Sequence, residues 1–388
     1  MSQVASKILV ALVTVAALSM TACSSAQPEA AKEFPDLGHS TAIPADADPD
    51  IAAVYKDYVM EQMPGVPYAL VAGAAKEGTL LWYSRRIPAA NDPIVEAFQK
   101  AFPFIQVTQY SDSGPALFQR FMTEQRAGTK MADVVQMTGN NLMAQAIDEG
   151  YIADYTPSSA DLYPTDGLEP SAYPFGESTR VVYIYNTDLV SPAQAQALDE
   201  WDGPWSGAFD GLPMAVVDPS SASLGQDYWY AMEQMYGDDA MAGWAALDPQ
   251  IAGSTPTVDA VSRGSAAVGF TSEGVAAEVF ASGAPVRWTV PNPAIVGEGP
   301  QAIVKSAPHP YAARLFQEFV LSEAGQDIYS NLALFASKRA GFVADPQLIA
   351  DQSWWKPFAD REPFDGDQDA QEAAADATVK KFEAAFKK

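Results

Sequence analysis

The sequence predicts an α/β protein of two lobes, each a mostly parallel sheet flanked by helices, and three observations carry that expectation. At 388 residues the chain is long for one ordinary α/β core and comfortable for two. Short apolar runs of strand type alternate with helical spacings along most of it, the pattern of βα units around parallel strands. The third observation is the stretch 173–190, reading YPFGESTRVVYIYNTDLV, where a polar loop, a β-branched strand and a stop signal follow one another. Val181, Val182, Tyr183, Ile184 and Tyr185 have almost no polar relief, as a strand covered on both faces requires. A strand here joins the two lobes.

The remaining elements follow in order. In the first lobe a helix over 68–76 breaks at Gly78, and strands over 80–83, 104–110 and 132–137 alternate with helices over 92–102, 114–127 and 140–149. After the joining strand, Trp201 and Trp205 lead to a strand over 214–217 that ends in Asp218-Pro219-Ser220-Ser221. Helices over 222–235 and 238–247, a segment 257–262, a strand 266–271, a helix 273–281 and a strand 286–290 complete the second lobe. A strand over 302–304 returns the chain to the first lobe, followed by helices over 310–321, 323–330 and 369–387. The boundaries are then 51–185 for the first lobe, with an extra helix near its start, 186–298 for the second, and 299–388 for the return and the terminal helices.

Composition narrows the function. Lysine and arginine number 23 against 49 acidic residues, a net charge of −26, so a phosphate backbone is repelled and nucleic-acid binding is excluded. Lys7, the apolar run 8–17 and the small residues before Cys23 read as a lipoprotein signal peptide over 1–22, with Cys23 as the lipidated residue. Residues 23–50, rich in Ala, Pro, Ser, Asp and Glu, read as a flexible tether. Cys23 is the single cysteine, so no disulfide forms within the chain. The same scarcity of cysteine, with only His39 and His309 as bases, leaves no nucleophile and base pair for an enzyme.

Five segments, AAKEGTLLWYS (74–84), VEAFQKAFPFIQV (95–107), ADVVQ (132–136), YIYNTDLV (183–190) and APHPYAARLFQEFVLSEAGQ (307–326), resemble the extracellular solute-binding proteins of ABC importers. The branch is the one containing ferric-ion, thiamine, polyamine and aminophosphonate binders. The resemblance implies a type 2 periplasmic-binding-protein-like clamshell with hinge strands, one small ligand between the lobes and no chemistry on it. It also implies an ABC permease with its ATPase as partner, a monomer, and an extracytoplasmic place at the membrane through the lipid anchor alone. Ferric binders of this branch usually carry an adjacent tyrosine pair where this chain reads VGFTSEGVA (268–276), and no tyrosine stands there.

Ligands of open α/β sheets sit beyond the carboxyl ends of the strands. Those places offer Ser84, Arg85 and Arg86, then Ser111 and Ser113, then Thr138 and Asn140, and Ser178 with Arg180 on the joining strand. The second lobe offers Ser220, Ser221, Thr271, Ser272 and Glu273. Hydroxyls and helix N-termini around one cleft would cradle phosphate, phosphonate or carboxylate, with arginines adding bidentate contacts. Each hydroxyl is alternatively a helix cap, Arg180 alternatively a structural ion pair, and Glu273 a helix-end charge rather than a partner for a ligand amine. A small organic or phosphorus-containing anion or zwitterion is the expected guest, with no metal or cofactor. A ferric-ion carrier, or a ligand-sensing lipoprotein without transport, remains the alternative.

Overall fold

A computed structural model of the chain describes residues 34–386, apart from positions 36, 87, 113, 165–167, 169–170, 333–336, 343–348, 350–351, 356–363, 365, 367–369 and 372–373. The expected leader 1–22, Cys23 and Ser113 lie outside the described residues. In the first lobe, β1 (Thr79–Ser84) pairs in parallel with β2 (Gln106–Ser111) on one side and β3 (Val134–Gln136) on the other. Two antiparallel strands complete that sheet, in the order β2-β1-β3-β9-β4. These are β9 (Val296–Ile303) and the first half of β4 (Ala172–Asn186).

The second half of β4 changes partners. From Val181 onward it pairs antiparallel with β7 (Val268–Ser272) and β8 (Val286–Thr289). A parallel bridge from Met214 to Val268 adds β5 (Ala215–Val217), which pairs in parallel with β6 (Gln250–Ala252). Short and polar, β6 escapes the sequence reading. The returning strand is longer than the expected 302–304, because Gly297, Gly299 and Pro300 interrupt its apolar alternation.

Helices cover both faces of each sheet. On the first lobe, α3 (Tyr68–Glu77), α4 (Pro88–Ala101), α12 (Pro310–Leu321) and α13 (Glu323–Leu332) close a core containing Trp82, Phe98, Phe316 and Phe319. Opposite, α5 (Gly114–Arg126) and α6 (Asn140–Asp148) cover Val135, Phe121 and Met143. On the second lobe, α8 (Ser223–Tyr236), α9 (Asp238–Ala246) and the terminal helix α14 (Ala375–Phe386) enclose Trp201, Trp229, Trp244 and Phe270. The other face is covered by α10 (Ser254–Ser262) and α11 (Glu273–Ala281), over Val258, Val261 and Trp288.

The first and last described segments are part of these cores. Asp48 caps α1 (Pro49–Val54) by accepting from the Asp50 and Ile51 N–H groups, at 2.9 and 3.2 Å. A π-helical turn, Tyr55–Val59, then leads into α2 (Met60–Gln62), where the sequence reads as one uniform helix. The widened turn buries both Tyr55 and Val59, and the Tyr55 hydroxyl donates to the Val66 carbonyl at 2.6 Å. Within the stretch 23–50, Phe34, Leu37, Ile43 and Ala47 pack against the first-lobe core. The Phe34 ring lies 3.6 Å from the guanidinium carbon of the buried Arg314.

Two carboxylates, the buried Asp133 and the half-buried Glu77, place α12. Asp133, at the start of β3, accepts from the Leu81 N–H at 2.8 Å and the His309 N–H at 2.7 Å, with His309 Nδ1 3.0 Å away. Glu77, at the end of α3, accepts from the Tyr311 and Ala312 N–H groups at 3.2 and 2.7 Å. It thereby sets a negative charge on the α12 N-terminus. The Pro-His-Pro start of this helix is thus a joint between α12 and the sheet.

Where β4 changes sheets, Arg180 faces Glu273. Arg180 Nε and Nη2 donate to Glu273 Oε2 and Oε1 at 2.5 and 2.6 Å, and both residues are 2% exposed. Removing one member of such a pair strands the other charge in a low-dielectric site. Arg180→Ala should lower stability by about 3 to 5 kcal/mol in urea unfolding, toward the low end because two indoles also donate to Glu273. A loss under about 1 kcal/mol would show that the pair is not a structural joint.

Candidate functional site

The parallel register of the first lobe brings its predicted site residues together. Ser84 stands opposite Ser111, and Tyr83 opposite Val135, so the carboxyl ends of β1, β2 and β3 adjoin. Ser84 is fully buried, donates to Gln136 Oε1 at 2.7 Å and accepts from the Arg86 N–H at 3.2 Å. Arg85 is half-buried, while Arg86 is buried with its guanidinium carbon 6.0 Å from the Tyr329 ring centroid. Thr138 touches the start of α5: a Cβ on Gly114 would stand 2.2 Å from Thr138 Oγ1, so glycine alone fits there. Asn140 opens α6 after Gly139, whose φ of 76° also requires glycine.

In the second lobe the β5–β7 bridge places two more strand ends side by side. Thr271 is buried, and Ser272 holds the N-cap position of α11 without a side-chain cap bond. The Ser178 backbone pairs with Glu298 of β9, one residue before Thr179 and two before Arg180. Ser220 and Ser221 are exposed and closed onto Asp218. Ser220 donates from N–H and Oγ to Asp218 Oδ1 at 2.8 and 2.6 Å, and Ser221 Oγ donates to the Asp218 carbonyl at 2.7 Å.

The geometry also divides the expected charges. Glu273 accepts from Trp288 Nε1 and Trp355 Nε1, each at 3.0 Å, besides the two bonds from Arg180. The α11 N-terminus therefore already holds a carboxylate, and that carboxylate balances Arg180. For an incoming anion the described cationic candidates at the strand ends are Arg85 and Arg86.

Asp227, on α8, is absent from the sequence-derived set. Burial raises its pKa from 3.8 to about 6, and the Arg85 charge and a hydrogen bond from Gln371 Nε2 pull it partly back. Arg85 follows β1 of the first lobe and Asp227 lies in the second, so this interaction reaches from one lobe to the other. Its signal in the sequence is an acid immediately before the apolar run YWYAM (228–232) of a helix. Trp355 and Gln371 were hidden by their distance along the chain.

Tyr83, Tyr110, Tyr183 and Tyr185, on strands β1, β2 and β4, carry phenols near the sheets' ligand side or core. Burial and Glu124 push the Tyr83 pKa up to about 12, with its hydroxyl donating to that carboxylate at 2.9 Å. Tyr110 donates to Asp112 at 3.0 Å and carries the Arg120 guanidinium 3.9 Å above its ring. Tyr183 donates to the Trp201 carbonyl at 2.7 Å, and burial raises its pKa far above the usual range. Burial raises Tyr185 as well. Tyr83, Tyr183 and Tyr185 thus remain protonated near neutral pH. Among the described residues no group of three or more His, Cys, Asp or Glu is arranged to hold a metal ion, and no helix is long and apolar enough to cross a membrane.

Comparison with solved structures gives the fold a context. Iron-bound HitA from Pseudomonas aeruginosa is similar at a TM-score of 0.64 and 20% identity, covering 79% of this chain and 99% of that one. The substrate-binding protein of an ABC transporter from Agrobacterium tumefaciens is similar at 0.62 and 19%, with 78% and 94% covered. AfuA from Actinobacillus pleuropneumoniae, with fructose-6-phosphate bound, is similar at 0.61 and 18%, with 80% and 99% covered. These likenesses show the type 2 periplasmic-binding-protein fold with its two lobes. No curated protein matches the chain. The model of the bacterial extracellular solute-binding proteins matches residues 83–327, from the end of β1 into α13, and the chain belongs to that family.

Proposed function

We propose that this chain is the lipid-anchored solute-binding component of an ABC importer, taking a small organic or phosphorus-containing anion or zwitterion between its lobes. Cys23 carries the anchor, and the closed form delivers its guest to a permease served by an ATPase. The lobes divide at 185/186 and 298/299, on β4, which pairs in both sheets, and on β9, which returns the chain to the first. The guest is carried without being transformed. The observation that supports this reading most is the adjoining carboxyl ends of β1, β2 and β3, which bring Ser84, Arg85, Arg86 and Ser111 together, with the Arg85 charge acting on the half-buried Asp227 of α8. Such a pair suits an anionic group at one end and a cationic or hydrogen-bond-donating group at the other. Three solved structures of this fold, HitA, a Campylobacter jejuni ferric-binding protein and a Trichodesmium protein, are described with iron or as ferric-binding, whereas AfuA is described with a sugar phosphate. Phenols already engaged in hydrogen bonds, those of Tyr83 and Tyr183 with their pKa raised by burial, favour the organic guest here over ferric ion.

Native mass spectrometry with metal analysis, on protein beginning at Ser24 and compared before and after partial unfolding, tests the ligand directly. A bound organic mass lost on unfolding is expected, and stoichiometric iron instead would overturn the reading. X-ray scattering should give a smaller radius of gyration for the loaded than for the stripped protein, since the lobes close about β4 and β9. Superimposable profiles would remove closure from the mechanism.

Asp227 adds a pH dependence. The folded protein holds this proton to higher pH than the unfolded chain does, so this group's contribution to stability falls as pH rises from about 4 through about 6. Allowing for its partial exposure, the loss is about 1 to 3 kcal/mol. Asp227→Asn, which copies the neutral form, should therefore stabilise the stripped protein more at pH 7 than at pH 4.5 in urea unfolding. Equal effects at both pH values would show that Asp227 is not desolvated.

A further inference from the structure

Among the described residues, the buried polar atoms without a hydrogen-bond partner include Asn91 Nδ2 and Oδ1, Ser111 Oγ and Gln109 Oε1 in the first lobe. Pattern and register place them in one layer. The α4 helix buries Ile94, Val95 and Phe98 in the core that holds Leu80 and Trp82 of β1. Asn91, fully buried, continues that stripe one turn earlier, and helical side chains lean toward the N-terminus, so its amide is aimed into the first turn of this 14-residue helix. Alternation along β1 puts Ser84 on the face of Leu80 and Trp82, and the paired Ser111 stands on the same face of β2, two residues beyond Gln109. Gln109 Nε2 donates to Asp92 at 3.0 Å, which ties this face to the same turn of α4 and fixes Oε1 as the unpartnered end of its amide.

The chemistry of these atoms selects a guest. Asn91 Oδ1 and Gln109 Oε1 only accept, Asn91 Nδ2 only donates, and the Ser111 hydroxyl does either. A metal ion donates nothing, a carboxylate only accepts, and inorganic phosphate has at most one or two P–OH donors among its acceptor oxygens. Hydroxyl groups do both. An unsatisfied buried amide is unfavourable enough that native proteins rarely keep one without water or a ligand to meet it.

We propose that the layer beneath the first turn of α4 receives hydroxyl groups of the ligand, which is then a polyhydroxylated organic anion with its charged group at Arg85 and Arg86. Asn91 is the specificity-determining residue, with Ser111 and Gln109 beside it. The assignment rests on the ligand-binding reading above.

The test uses the stripped full-length mature protein and titration calorimetry with D-gluconate against acetate, and glycerol 3-phosphate against inorganic phosphate. The wild type should bind at least one hydroxylated anion tenfold or more tighter than its plain counterpart. Asn91→Leu, which removes the orphaned amide at similar volume, should keep or raise the melting temperature and abolish that preference; Ser111→Ala should reduce it. Binding of none of the four anions, or equal binding of each pair, overturns the proposal. An undiminished preference in both variants also overturns it and leaves the layer to water. If Asn91→Leu does not fold, Ser111→Ala alone decides. An organic mass in native spectrometry without hydroxyl preference would sink this assignment and leave the transport reading standing, whereas bound iron would sink both.

Discussion

One strand has to satisfy the backbone of two sheets, and the rest of the molecule is arranged around that demand. Buried N–H and C=O groups need partners along their whole length. β4 meets this by pairing with β9 through Arg180, which faces Val296, and with β7 from Val181, which faces Ser272. The register shift between Pro174 and Ser178 interrupts and bends β4 within its pairing with β9, just ahead of the exchange. Arg180 sits at the exchange itself, where its side chain leaves the first sheet and meets a carboxylate on the first residue of α11. A buried pair of this kind is weak evidence for stability but sharply penalises any arrangement that separates its members. It therefore fixes where β7 and α11 stand relative to the crossing.

The segments outside the family match serve the two lobes separately. Residues from Phe34 to Met63 add the rings and aliphatic groups of Phe34, Tyr55, Tyr58 and Val59 to the first-lobe core. At the other end Ile349, Trp354 and Trp355 close over α11 and β8, and Phe382 packs its ring 5.3 Å from that of Trp229. With one cysteine in the chain, apolar area and buried polar joints are the available means of holding these additions in place. Trp355 and Gln371 are also the residues by which the C-terminal segment reaches Glu273 and Asp227. The tail thus shapes the second-lobe side of the candidate site as well as its core.

Charge gives the site its contrast. Against a net charge of −26, two adjacent arginines at one strand end form a local reversal of sign beside a helix N-terminus. Arg180, which from sequence looks equivalent to them, is already neutralised. Asp227 has the opposite character: few groups stabilise its ionised form, so burial dominates and keeps its proton affinity high.

What the sequence determined by itself is the part governed by local pattern. Alternating strand and helix periods, the glycines that end elements, and the β-branched run from Val181 to Tyr185 specify the α/β class, the two lobes and the strand ends where a ligand belongs. Local pattern equally located α11 and α12, whose first residues, Glu273 and Pro310, follow sharp changes of period. Only the tertiary structure decided which of the polar groups at those ends are free to act. Arg180 and Glu273 lie 93 residues apart, and their mutual satisfaction depends on β7 pairing with β4. Ser220 and Ser221 turned inward on Asp218, a choice between local hydrogen bonds of nearly equal energy that composition does not reveal. Asn91 and Asp227 gained their significance from burial, which is a property of the packed whole: the same amide or carboxylate on a solvated helix face would have nothing left to bind.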